Sequence, residues 1–146
     1  MDGSRGFLRR SARDAGDPSE SRKPLHSAIL NVTFDCKDAA LLARFWSEVT
    51  RRPVTKHEMP GNPFWVVGHP DQETVRLVFV EVPETKTQKN RVHLDLLPQE
   101  GSQDDEVARL QALGAVIVDD RRTATPGSWI VMADPEGNEF CLEQGD

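Results

Sequence analysis

Arg91, His93 and Asp95 stand at alternate positions of the stretch KNRVHLDLL, and each brings a different chemistry. An imidazole titrates near neutral pH and can act as acid, base or metal ligand. A carboxylate two residues away can orient it, and a guanidinium can hold an anion with paired donors. In an extended segment residues two apart share a face, so the three polar groups would stand together while Val92, Leu94 and Leu96 face the other way. Functionally, His93 would then be a base or hydrogen-bond donor oriented by Asp95, with Arg91 on an anionic substrate. Structurally, the same residues would form an internal hydrogen-bond network, with Arg91 paired to a carboxylate. Cys141 could be a nucleophile served by His93, set against a cysteine that packs as a small hydrophobe.

The elements that must position these residues follow from periodicity. SAILNVTFDC places Leu30, Val32, Phe34 and Cys36 on one face, the pattern of a half-buried strand, and leaves Asn31, Thr33 and Asp35 on the other. DAALLARFWSEVT repeats Leu42, Phe45, Trp46 and Val49 at helical spacing behind an Asp38 cap. RRPVTKHEM, PFWVVGHP and TVRLVFVEVP read as three short strands separated by Pro, Gly and Asn. RVHLDLLP then reads as a strand, and SQDDEVARLQALG as a helix opened by a Ser102 and Asp105 capping box and closed by Gly114. AVIVDD, GSWIVMAD and NEFCLEQ supply three more strands.

The order β-α-β-β-β therefore occurs twice. Local matches support a duplication: LARFW answers VARLQ, and FWVVGHPD answers SWIVMADPE. The fold class expected is α+β: two tandem βαβββ modules, over about residues 27–83 and 90–144, forming a curved, cup-shaped mixed sheet with the helices outside. The polar strand faces would line the cup with Asn31, Asp35, Arg91, His93, Asp95, Glu139 and Cys141. Trp65 and Trp129, at matching places, would stack on a flat ligand.

With 146 residues, 37% hydrophobic and 29% charged, the chain has the size and apolar content of one domain, expected over residues 26–146. Residues 1–25 mix Gly, Ser, Pro, Arg and Asp without apolar periodicity and are expected to be a disordered tail. Charge divides the same way: the tail holds six basic and four acidic residues, net +2, and the remainder twelve basic and twenty acidic, net −8. An acidic body argues against a nucleic-acid partner. No stretch has the apolar core of a secretory signal or the length of a membrane span, so a cytoplasmic protein without a membrane partner is expected. Cys36 and Cys141 are too few for a disulfide framework and lack metal-type spacing.

DPEGNEFCLE, RLQALGA, VPETKTQKNRVHLDL and DCKDAALLARFW resemble the vicinal oxygen chelate superfamily, which includes glyoxalase I, bleomycin resistance proteins, fosfomycin resistance enzymes and extradiol dioxygenases. The last two strings resemble its glyoxalase-like domains in particular, and the likeness runs from Ser27 to Gln144. It implies paired βαβββ modules, a ligand cup and often a homodimer, which unpaired sheet edges would also favour. Its metal enzymes take one ligand from the first strand of each module and one from the last. His93 matches one of these positions, but Asn31, Cys141 and Val78 or Val80 occupy the others. No cofactor is therefore expected. A divalent metal, if held, would use His93 with Glu139 or Cys141.

The resemblance implies a glyoxalase-like protein binding a small anionic organic molecule, with metal-independent lyase or isomerase-type chemistry. A non-catalytic drug- or metabolite-binding protein and a metal-dependent lyase or dioxygenase are the alternatives.

Overall fold

The computed structural model describes residues 26–71, 74–122 and 128–144. The tail expected over residues 1–25 lies outside them. The first module runs β1 (Asn31–Cys36), α1 (Ala39–Thr50), β2 (Val54–His57), β3 (Phe64–Val67) and β4 (Arg76–Glu81). The second repeats it with β5 (Asp95–Leu96), α2 (Gln103–Ala112), β6 (Val116–Asp120), β7 (Trp129–Ala133) and β8 (Glu139–Glu143). Each module makes a four-stranded sheet, ordered β1-β4-β3-β2 and β5-β8-β7-β6. The first strand of each pairs parallel to the last, and the other neighbours are antiparallel. The expected α+β class with tandem βαβββ modules and mixed sheets is thus the observed one.

Local chemistry explains the helices. Asp38 accepts from the Leu41 amide at 2.8 Å and opens α1. Ser102 and Asp105 form the reciprocal capping box that opens α2. Gly114 follows α2 at φ +109°, a conformation that side chains disfavour. Arg109 of α2 donates to the Glu48 and Val49 carbonyls at 3.0 and 3.1 Å, placing a cation at the negative end of α1.

One apolar core serves both modules. Leu42, Phe45, Trp46 and Val49 of α1 pack with Val67, Leu77 and Phe79 of the first sheet and with Ile130, Met132, Phe140 and Leu142 of the second. The rings of Trp46 and Phe140 meet at 5.3 Å in a T-shaped contact.

The strand expected over RVHLDLLP is shorter, being only Asp95 and Leu96. Ahead of Leu94, whose carbonyl accepts from the Cys141 amide at 2.9 Å, side chains hold the segment: the Asn90 amide donates to Glu139 at 3.0 Å, and its carbonyl lies 3.0 Å from His93 Nε2. The alternation expected from Arg91 to Asp95 therefore starts from a backbone that is not extended throughout.

The DPEGN turn between β7 and β8 joins the modules. Asp134, 3% exposed, accepts from Trp46 Nε1 at 3.2 Å, from the Glu136 and Asn138 amides, and from the Asn138 side chain. Glu136 in turn accepts from the Lys37 and Asp38 amides at 2.8 and 2.7 Å, just before α1. Asp134→Ala would leave several buried donors without an acceptor, at a cost of about 3 kcal/mol. A melting temperature lower by roughly 10 °C in thermal denaturation is the expected outcome, and a change within error would contradict this role.

Candidate functional site

The second sheet presents a cavity of about 660 Å³ on the face away from the core. Strand register decides what lines it. Asp95 lies opposite Cys141 in the parallel pair, while Val131 faces Cys141 and Trp129 faces Glu143 in the antiparallel pair. Glu139, Cys141, Glu143, Trp129 and Val131 therefore share the cavity face with His93 and Asp95. The alternate residues Ile130, Met132, Phe140 and Leu142 enter the core. Lys89, Val118, Asp119 and Arg121 complete the lining.

Asp119 and Arg121 were not legible as site residues. A register shift between Ile117 and Asp119 breaks the alternation of β6, bringing Val118 and Asp119 to the cavity together. AVIVDD carries no local signal for that bulge.

The lining is acidic. Asp95, Asp119, Glu139 and Glu143 outnumber Lys89 and Arg121. Arg121 is paired to Asp119 at 2.6 Å, and Lys86 reaches in to Glu139 at 3.0 Å. Asp95 and Glu143 form no ion pair with another described residue. Burial pushes the Cys141 thiol up, and the negative charges of Asp95 and Glu143 add to the shift. A thiol held protonated in this way is a poor nucleophile. Burial would also raise Glu139, but the Asn90 amide and the Lys86 ammonium outweigh it and hold this carboxyl below its ordinary 4.5. Its stabilising contribution is therefore full above that ordinary value and is lost as pH falls through the lowered one.

His93 reaches the Asn90 carbonyl through Nε2 at 3.0 Å. A carbonyl only accepts, so Nε2 carries the proton and Nδ1 is left as the acceptor. Asn90 and His93 are three residues apart, so this contact is local to the segment that precedes β5.

Other sequence candidates stand elsewhere. Arg91 and Asp35 line a separate crevice of about 250 Å³ between β1 and residues 90–94. Asn31 accepts from Arg76 Nε at 3.0 Å and does not line the main cavity. Trp65 lies in register with Phe79 and packs against the core, so the expected stacking role is corrected. The match of FWVVGHPD to SWIVMADPE hides a one-residue difference between Trp and Pro, and one residue reverses the face of a strand. Phe64, opposite Val80 as Trp129 is opposite Glu143, is the true counterpart of Trp129.

These residues do not fit a metal. Register places Asn31 where the second module has His93, and Val78 where it has Cys141. Asn31 is bonded to Arg76, and a valine has no donor atom. Among the described residues no group of three or more His, Cys, Asp or Glu is arranged to hold an ion.

A family model described as a glyoxalase-like domain matches residues 31–143. No protein of curated function matches the chain in sequence. Among solved structures, a fosfomycin resistance protein from Listeria monocytogenes, complexed with Mn(II) and a dihydroxypropylphosphonic acid, aligns with a TM-score of 0.65 at 16% identity, covering 84% of this chain and 95% of that one. An antibiotic binding protein from a Streptomyces species aligns at 0.61 and 20% identity, covering 85% and 100%. A hypothetical protein from S. aureus aligns at 0.61 and 11% identity, covering 82% and 94%. At such identities the likeness speaks for the fold alone.

The state of the thiols is open to measurement. Burial pushes Cys36 up to about 12, and Cys141 is raised as well. Iodoacetamide at about pH 8 should alkylate both much more slowly than a free thiol. Asp95→Asn should speed the reaction of Cys141 and leave Cys36 unchanged; fast alkylation of wild-type Cys141 would restore it as a candidate nucleophile.

Proposed function

The chain belongs to the glyoxalase-like domain family, and on that premise we propose that it binds a small organic molecule carrying a flat apolar body and a positive charge, without turning it over. The observation that carries this reading is the lining of the second-module cavity, where Trp129 and Val131 stand among four carboxylates and two cations. An indole supplies a stacking face and attracts cations, and unpaired carboxylates supply the counter-charge. The anionic ligand suggested by sequence depended on Arg91, which lines the neighbouring crevice instead. Binding is favoured over chemistry because Cys141 is held as the thiol and His93 Nε2 is engaged by Asn90. The antibiotic binding protein of the same fold is a compatible precedent.

A second reading, metal-independent lyase or isomerase-type chemistry, rests on His93 Nδ1 as a base in the cavity. It requires that a bound ligand be converted rather than recovered.

A homodimer belongs to the same proposal. Apart from Lys89 of the linker, the lining comes from the second module, which leaves room for another molecule to supply a wall. Val116, Ile117 and Val118 on the edge strand β6 are 56, 40 and 54% exposed, an apolar edge that a second copy would cover. No described helix is long and apolar enough to cross a membrane. Two free, buried cysteines support a reducing cytoplasmic setting.

Titration calorimetry with naphthylmethylamine and naphthoate, a cation and an anion sharing one ring system, tests the ligand class. The amine should bind about tenfold more tightly, and Trp129→Ala should weaken it by about the same factor. Tighter binding of naphthoate, or conversion of the amine to product, would overturn the proposal. Sedimentation equilibrium at micromolar concentration should show a dimer, and a monomer would remove the second copy from the site.

A further inference from the structure

Glu139 lies on the wall shared by the main cavity and the module crevice, with its side chain 14% exposed. Its carboxylate is occupied by an ammonium that does not belong to the cavity lining. Lys86 sits in the linker between β4 and β5, where no helix or strand forms, and its Nζ stands 3.0 Å from Glu139 Oε2. The same Nζ donates to the Gln88 carbonyl at 2.8 Å. A carboxylate and a carbonyl thus cradle a primary ammonium, whose three N–H groups suit such convergent acceptors. The other carboxylates differ: Asp119 is held by Arg121 from its own segment, Asp95 accepts from the Cys141 thiol, and Glu143 has no ion partner among the described residues. At Glu139 an irregular segment, separate from the sheet, brings an ammonium into contact with a carboxylate of the wall.

We propose that Glu139 is the ammonium seat of this cavity and that Lys86 fills it as a resident stand-in, displaced when an amine-bearing ligand enters. The inference rests on the cationic-ligand reading and names where that cation sits. Exchanging one ammonium for another leaves no partly buried carboxylate unpaired, so the swap avoids part of the penalty that makes lone desolvated charges costly. Release of Lys86 removes one of the ties on residues 84–90. The linker then becomes more mobile as the cavity fills, coupling occupancy to the segment that joins the modules.

Naphthylmethylamine affinities of the full-length chain and three variants test this. Lys86→Met should raise affinity about fivefold, the effect of removing one competing, partly exposed ion pair. Lys56→Met removes an equal charge from β2 of the first module, away from the cavity, and should change affinity less than about twofold. Glu139→Gln should lower affinity about tenfold, with its fold checked by circular dichroism. Saturating the wild-type protein should accelerate hydrogen exchange over residues 84–90. Equal gains from Lys86→Met and Lys56→Met, or unchanged exchange in the linker, would overturn the seat while leaving the cationic-ligand reading intact. Failure of the amine to bind wild type and Lys86→Met alike would overturn both.

Discussion

A buried carboxylate that must keep its donors organises this molecule. Asp134 is 3% exposed and accepts from the Trp46 indole, from two amides of its own turn and from the Asn138 side chain. In a low-dielectric interior such a charge is tolerable only while fully hydrogen-bonded. The requirement shapes the β7–β8 turn, where the Gly137 amide returns to the Asp134 carbonyl at 2.9 Å and Gly137 takes φ +86°. It also fixes Trp46, and with it the face that α1 turns to the core. Glu136 closes the arrangement by binding the amides that precede α1. The helix of one module is therefore held by a turn of the other, and the start of β8, where Glu139 stands, is set by the same contacts.

The two modules use one scaffold for opposite ends. Where the second presents Trp129, Cys141 and Glu143, register gives the first Phe64, Val78 and Val80. Where the second has His93, the first has Asn31, tied to Arg76. The substitutions put a thiol and a carboxylate in the second sheet where the first has two valines. Sheet geometry was retained because it depends on core-facing residues, which pack on the helices of both modules. The faces away from the core can differ, since no ladder hydrogen bond depends on their side chains.

The site was legible where strands are regular and lost where they are not. Parity along NEFCLEQ grouped Glu139 and Cys141, which do share a face because β8 is an unbroken strand flanked on both sides. His93 and Asp95 fell on the cavity, but Arg91 did not follow them, since hydrogen bonds to Asn90 interrupt the extended backbone before Asp95. Trp65 failed for a different reason: tryptophans aligned by eye ignored a single-residue offset, and period two is unforgiving of that error. Asp119 and Arg121 depended on a bulge that no residue of β6 announces.

By itself, the sequence determined the repeated βαβββ order, the helix caps and the residues committed to the core, because these follow from periodicity and from short-range hydrogen bonds within a few residues. Only the tertiary structure decided which polar residues meet and what charge their meeting place carries. Lys86 and Glu139 are joined across half the domain. Arg91 and Trp129 are separated into different cavities. Both outcomes arise from linker path and strand register, long-range quantities that local composition does not encode.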